Sequence, residues 1–279
     1  MDVMAQAPWV EIVAIGNELL AGDVLDTNSH WLCQQLTGLG ARVRQVCLVR
    51  DDLEAIAARL GEALARDTCL LITVGGLGPT DDDLTLQGVA RALGVAMQVN
   101  ERALEMVTAK YAELAHQGYV AFPEMTPSRV KMARFPQGGE PLQNNVGAAP
   151  GMVWRQGQRT VVSLPGVPGE LKDIFQGSLA PVLRDLLGEA HFAQWKATVD
   201  CGDESVLAPL LSAVAAAHPE VYTKSRARRF GPDVRFSITL SARGETQAVV
   251  RDLLGAAWED LRARLEKQGI GVISLDQGG

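Results

Sequence analysis

TCLLITVGG, residues 68–76, decides the fold. Cys69 to Val74 are apolar at nearly every position, which suits a strand buried on both faces, as in a parallel sheet covered by helices on each side. Working outward, WVEIVAIG (residues 9–16) and ARVRQVCLV (residues 41–49) read as strands of the same sheet. Between the three strands, DTNSHWLCQQLTGLG (residues 26–40) and DDLEAIAARLGEALARD (residues 51–67) read as helices, giving a βαβαβ unit. Helices are expected again at Asp81 to Leu93 and Glu101 to His116, then from Val167 to Leu187 after a buried strand RTVVSLPG (residues 159–166). Together these predict an α/β fold, a three-layer α/β/α sandwich. Between Gly118 and Ala149, proline and glycine interrupt the periodicity, so an irregular or hairpin-like excursion is expected there.

The rest of the chain alternates differently. Strand Gln194 to Cys201, helix Asp203 to His218, strands Val221 to Arg226 and Val234 to Ala242, helix Thr246 to Gln268 and strand Gly271 to Leu275 give the order βαββαβ. That is the split βαβ arrangement of a small α+β domain. Gly188 to Phe192 reads as the linker, so the expected domains are residues 1–188 and 189–279.

With 279 residues, 47% hydrophobic and 21% charged, the chain has ample material for two buried cores and too little polarity for disorder. The net charge is −7, from 26 basic and 33 acidic residues, and aromatic residues are 5%. A polyanion would meet an adverse field and few stacking rings, so nucleic acid is not an expected partner. Cys33, Cys47, Cys69 and Cys201 lie apart in apolar surroundings without a CxxC pair, and read as reduced, buried residues of a cytoplasmic protein. No apolar run is long enough for a membrane span, and Met1 to Pro8 lacks the pattern of a signal peptide. His30, His116, His191 and His218 have no zinc-ligand spacing.

In open α/β sheets ligands bind beyond the carboxyl ends of the strands, which directs attention to the segments following them. Gly75-Gly76-Leu77-Gly78-Pro79-Thr80 lets backbone approach an anion and present amides to it, as a phosphate cradle does. Asp81, Asp82 and Asp83 follow at once, and an anion beside them calls for a bridging divalent cation such as Mg²⁺. The same acids also suit the first turn of a helix, as caps and dipole partners. Glu18, in Gly16-Asn17-Glu18-Leu19-Leu20, would stand at the end of the first strand as a site carboxylate or a solvated acid. The glycine spacing matches neither the dinucleotide fingerprint nor the P-loop. In the second domain Lys224, Arg226, Arg228, Arg229 and Arg235 surround a hairpin, which reads as a phosphate grip or as a solvated turn.

Taken together, GNELLAG with Asp26-Thr27-Asn28, TVGGLGPTDDDLT, NNVGAAPG and LPGVPGEL resemble, in order, the motifs of the competence/damage-inducible protein CinA family, within the wider MoaB/MogA molybdopterin-binding type. The βαββαβ tail resembles the small KH-type domain of that family, while its frequent C-terminal amidohydrolase domain has no counterpart before Gly279. The resemblance places Gly75, Gly76, Gly78, Thr80, Asp82, Asp83 and Thr85 in a phosphate pocket, with Asp83 and Asp82 as metal ligands. Asn28, Asn144, Gly147, Pro150, Gly151, Pro165, Gly166, Pro168 and Glu170 match further substrate-binding segments. Asn17 stands where the family has Asp, Ala148 where it has Thr, and Arg129 and Met132 where it has Asn and Gln, with Lys131 retained.

The resemblance implies a metal-dependent pyrophosphatase, using Mg²⁺, Mn²⁺ or Co²⁺, that converts ADP-ribose or a related nucleotide diphosphate to AMP and ribose 5-phosphate. Asp83 and Asp82 would hold the metal and Glu18 would position water. The alternative it implies is a molybdopterin-binding or carrier protein of the MoaB/MogA type without hydrolase activity, and a non-enzymatic scaffold is a third reading. Tyr119, Val120, Phe122, Met125, Val130, Met132 and Phe135 in the excursion motivate an expected homodimer.

Overall fold

A strand that is apolar on both faces must be covered on both, and the arrangement of helices here follows from that requirement. The computed structural model describes residues 8–188, 191–227 and 235–277. The chain divides into two compact units, the first built on residues 8–36 and 41–188. Its elements run β1 (Trp9–Ile15), α1 (Asn17–Ala21), α2 (Thr27–Gly38), β2 (Arg42–Val49), α3 (Leu53–Leu64), β3 (Leu70–Val74), α4 (Thr85–Leu93) and β4 (Met97–Val99). They continue with α5 (Glu101–His116), α6 (Pro127–Lys131), β5 (Arg134–Pro136), β6 (Glu140–Leu142), β7 (Gly151–Gln156), β8 (Arg159–Leu164), α7 (Pro168–Gln176) and α8 (Ala180–Leu187).

Six strands form the central sheet in the order β2-β1-β3-β8-β7-β6. Strands β2, β1, β3 and β8 are mutually parallel, while β7 is antiparallel to β8 and β6 to β7. Val10, Ile12, Leu70, Ile72 and Leu164 pack on one face against Leu32 and Leu36 of α2 and against Leu171, Ile174 and Leu183 of α7 and α8. Val13, Ile15, Leu71 and Val161 pack on the other against Ile56 and Leu60 of α3, Val89 of α4 and Val107 of α5. The three-layer sandwich is therefore present. Gly88 lets α4 approach α3 closely, because a Cβ there would lie 2.3 Å from Ile56 Cγ2.

Several elements differ from the sequence expectation. The helix expected from Asp81 begins at Thr85, because Asp83 turns back to accept the Thr80 amide at 2.8 Å and closes a separate turn ahead of it. The single helix expected over Val167 to Leu187 is two, parted at Gly177, where φ −96° and ψ −97° leave the helical region. Strand β7 was not expected at all. The excursion does not stand outside the core: Met132 and Phe135 are buried in its second face, Met125 packs against it, and β5 pairs with β4. Tyr119 and Phe122 remain exposed. All four cysteines are free, but only Cys201 is buried; Cys33, Cys47 and Cys69 are half-buried. Burial nonetheless pushes the Cys69 thiol up to about 11, a shift that favours the protonated thiol.

The second unit contains β9 (His191–Asp200), α9 (Glu204–Ala217), β10 (Val221–Ala227), β11 (Phe236–Gly244), α10 (Gln247–Lys267) and β12 (Gly271–Asp276). Its sheet order is β10-β11-β9-β12 with antiparallel neighbours, and both helices pack on one face around Trp195, Ile238, Leu254 and Leu261. Of the basic hairpin, Lys224 and Arg226 are exposed on β10 and Arg235 pairs with Asp200 at 3.2 Å. Arg228 and Arg229, with the start of the strand expected at Val234, lie outside the described residues. No helix among the described residues is long and apolar enough to cross a membrane.

Candidate functional site

The strand order reverses at β1, whose neighbours β2 and β3 are reached in opposite directions, and such a switch point opens a crevice at the carboxyl ends. Three chain segments meet there. The Gly16 amide donates to Val49 O at 3.1 Å and the Gly75 amide to Leu164 O at 2.9 Å, so the ends of β1, β2, β3 and β8 are tied into one floor. Gly75 has φ 97°, and a Cβ on it would sit 2.3 Å from Ile15 O. Only glycine lets the loop lie this close on β1. Buried Thr85 then fixes the loop from behind, donating its hydroxyl to Gly75 O at 2.7 Å.

The resulting cleft is about 410 Å³ and is walled by Gly16, Glu18, Asp51, the 75–79 loop, Asp82, Asp83, Tyr111, Met132, Ala148, Pro165, Gly166 and Glu170. A volume of this size suits a small organic ligand. On the far side of the same glycine loop lies a second cleft of about 800 Å³, lined by Met97, Met125, Met132, Lys131 and Arg134 among others. The amides of Gly76, Leu77 and Gly78 make no hydrogen bond to another described residue, which leaves three donors on the cleft wall. Donors clustered on a glycine turn are the backbone chemistry of oxyanion binding.

Carboxylates surround these donors. Asp83 Oδ2 accepts from the Thr80 amide at 2.8 Å and lies 2.6 Å from the Thr80 hydroxyl, which also reaches Asp82 Oδ1 and can donate to one of them at a time. The hydrogen bond from Thr80, backed by a backbone contact and the Lys131 charge, holds the Asp82 carboxyl below its ordinary range. Lys131 Nζ donates to Thr80 O, pinning the turn. Glu18 lies on α1, its carboxylate folded over Gly16. Burial pushes the Glu170 carboxyl, also on the cleft wall, above its ordinary value against the opposing pull of the Asn144 hydrogen bond and the Lys110 charge.

Among the residues expected at the site, Gly75, Gly76, Gly78, Asp82, Asp83, Glu18, Pro165, Gly166 and Glu170 line this cleft. The others are not among its lining residues. Asn28 donates to Gly166 O at 2.7 Å, and Asn144 donates to Ala149 O at 2.8 Å while its oxygen accepts the Gly147 amide at 2.8 Å. Thr85 closes the glycine loop, Thr80 supports both aspartates, Pro168 starts α7, and buried Pro150 leads into Gly151 of β7. Asp51 and Tyr111 were not anticipated. Asp51 follows β2 at the same sheet edge and accepts the Asn17 amide at 2.7 Å. Tyr111 comes from α5 and carries the Arg129 guanidinium 3.9 Å over its ring.

An α/β domain with a glycine-loop cleft at its switch point defines a class of small-molecule binding proteins, and comparison with known proteins narrows it. Residues 11–185 match the family described as probable molybdopterin binding domain. The chain belongs to that family. It is also 41% identical over 275 residues to a protein of Aeropyrum pernix, covering 95% of this chain and 97% of that one. A protein of Pyrobaculum arsenaticum is 40% identical over 240 residues, covering 85% of this chain and 88% of the relative. Among solved structures, the protein CinA of Thermoplasma acidophilum, described as of unknown function, is similar at TM-score 0.57 and 34% identity over 63% of this chain and 98% of its own.

Proposed function

We propose that the first domain binds a phosphorylated pterin of the molybdopterin type in the cleft beyond β1, β3 and β8. The observation that carries this reading is the set of three unengaged amides at Gly76, Leu77 and Gly78, on a glycine loop that lines that cleft, the kind of donors a phosphate accepts from. The family match supports the pterin part.

A second reading, hydrolysis of ADP-ribose or a similar nucleotide diphosphate, draws support from the adjoining Asp82 and Asp83. An octahedral Mg²⁺ takes one or two carboxylates and fills its remaining positions with phosphate oxygens and water, so this pair fits such an ion. No group of three His, Cys, Asp or Glu side chains among the described residues forms a ready-made metal site, so the ligand's own oxygens would have to complete the shell. When bound, the cation would supply charge neutralisation at the diphosphate. The chain's own part would be to orient phosphate oxygens on the loop amides and to position water with Glu18.

One experiment tests both readings. Titrating the full chain with a pterin phosphate should give saturable binding, and incubating it with ADP-ribose and Mg²⁺, Mn²⁺ or Co²⁺ tests for AMP. Binding without AMP selects the first reading; AMP that disappears with EDTA selects the second. Asp83→Asn should then abolish metal-dependent turnover at unchanged melting temperature, and Asp81→Asn, on an exposed side chain, should change it little.

Self-association as a dimer belongs to the same proposal. Tyr119 and Phe122 are 76% and 48% exposed, aromatic surface that a second copy would cover. Light scattering should give about twice 29.9 kDa; a mass near 29.9 kDa itself would sink the dimer.

A further inference from the structure

The same cleft holds a carboxyl that is immobilised on one side and open on the other. Glu170 stands in the first turn of α7 and lines the cleft half-buried. Its Oε2 accepts from Asn144 Nδ2 at 2.6 Å. Its carboxyl lies flat against the 144–147 loop, where a Cβ on Gly147 would come within 2.1 Å of Glu170 Cδ, so the glycine is what gives the carboxyl its seat. Asn144 is in turn fixed by Ala149 O and by the amides of Val146 and Gly147. Oε1 has no hydrogen-bond partner among the described residues.

The donors that a phosphate needs are the amides of the glycine loop, and Glu170 brings none. The open oxygen therefore calls for a ligand group that donates a hydrogen bond, and on the pterin reading that group is N–H. We propose that Glu170 is the specificity-determining residue of the cleft, accepting the paired N–H groups of a 2-amino-4-oxo heterocycle while the glycine loop holds the phosphate of the same ligand. An ionised carboxyl offers about four lone-pair sites over two oxygens, so Oε2 can serve Asn144 and still take part in a two-point contact. Burial already raises the Glu170 pKa, and a two-point contact would give the half-buried carboxylate donors that stay in place when a ligand displaces water from it. This inference rests on the pterin reading above.

The test uses the full chain and two probes, pterin-6-ylmethyl phosphate and its 2,4-dioxo counterpart, in which the 2-amino donor is replaced by an acceptor. The wild-type chain should prefer the amino compound by about 10- to 100-fold, the range expected for a hydrogen bond to a charged partner. Glu170→Gln should erase that preference, since its amide presents a donor to the 2-oxo group. Gly147→Ala, which must push the carboxyl from its seat, should erode the preference in the same direction. A wild-type chain that binds the amino compound without preference, or a Glu170→Gln chain that keeps the full preference, overturns the assignment of Glu170 and leaves the pterin reading standing. If the wild-type chain binds neither probe, the pterin reading falls and this proposal falls with it.

Discussion

Replacing Glu11 by Gln should destabilise the first domain by about 3–5 kcal/mol, the cost of removing one partner from a buried ion cluster. Glu11 sits in the middle of β1 with no solvent exposure, on the sheet face that packs against α3. Its Oε2 receives Arg66 at 2.6 Å and Arg59 at 3.0 Å, its Oε1 receives the Thr68 hydroxyl at 2.6 Å, and Gln45 adds an amide donor at 2.8 Å. Burial alone would raise the carboxyl pKa, but the hydrogen bonds from Arg66 and Thr68 and the charges of Arg66 and Arg59 outweigh it and hold the group below its ordinary 4.5. A depressed carboxylate pKa contributes stability that is complete above the unfolded value and is lost as pH falls through the folded one. The gap between wild type and Glu11→Gln should thus be full at pH 7 and close in strongly acid solution. Urea unfolding of both chains at several pH values measures it, and a gap that persists unchanged below the folded pKa would show that packing, not charge, is responsible.

None of that cluster was legible in the sequence, and the reason is physical. One acid within WVEIVAI alternates with apolar neighbours as any half-exposed strand residue would, and the arginines that bury it come from β2, α3 and the turn after α3. Only tertiary proximity distinguishes it. The central strand was legible for the opposite reason: Leu70 to Val74 are buried on both faces, and a run without alternation leaves no other home than the middle of a covered sheet. Strand β7 was missed although a signal existed. Gln156 pairs with Arg159 across Gly157-Gln158, and Gly157 at φ 60° is the turn residue of a two-residue hairpin, so the dipeptide before a recognised strand was itself a mark.

The cleft divides in the same way. The glycine loop and the segment after β8 could be found because glycine and proline follow strands there, whereas Asp51 follows β2 with no such punctuation, although the rule about carboxyl ends covers it equally. Tyr111 reaches the cleft from the side of a long helix, a placement that α5 periodicity does not reveal. Asn28, Asn144 and Thr85 were found as motif residues but act through backbone oxygens and amides, a role that residue type alone does not distinguish from direct contact.

Gly75→Ala should remove ligand binding from a chain that still folds, lowering affinity for a pterin phosphate by at least about 100-fold. Two costs coincide at this position. The backbone is at φ 97°, where an L side chain is strained by about 1–3 kcal/mol. The added methyl would also stand 2.3 Å from Ile15 O, a carbonyl at the end of a strand paired on both sides. That oxygen cannot yield, so the loop must lift, carrying the Gly76, Leu77 and Gly78 amides with it. Two other substitutions separate this from a general intolerance of alanine. Gly61→Ala on α3 meets nothing within 4 Å and should stabilise the chain by about 0.5–1 kcal/mol through helix propensity. Gly78→Ala keeps an ordinary backbone conformation and its nearest neighbour is the Asp83 carboxylate at 2.7 Å, a side chain rather than a strand carbonyl, so its loss of affinity should be smaller than that of Gly75→Ala. Calorimetric titration of the three variants, with thermal melts of each, decides the matter: equal affinities for Gly75→Ala and wild type would mean that the glycine-loop amides do not hold the phosphate.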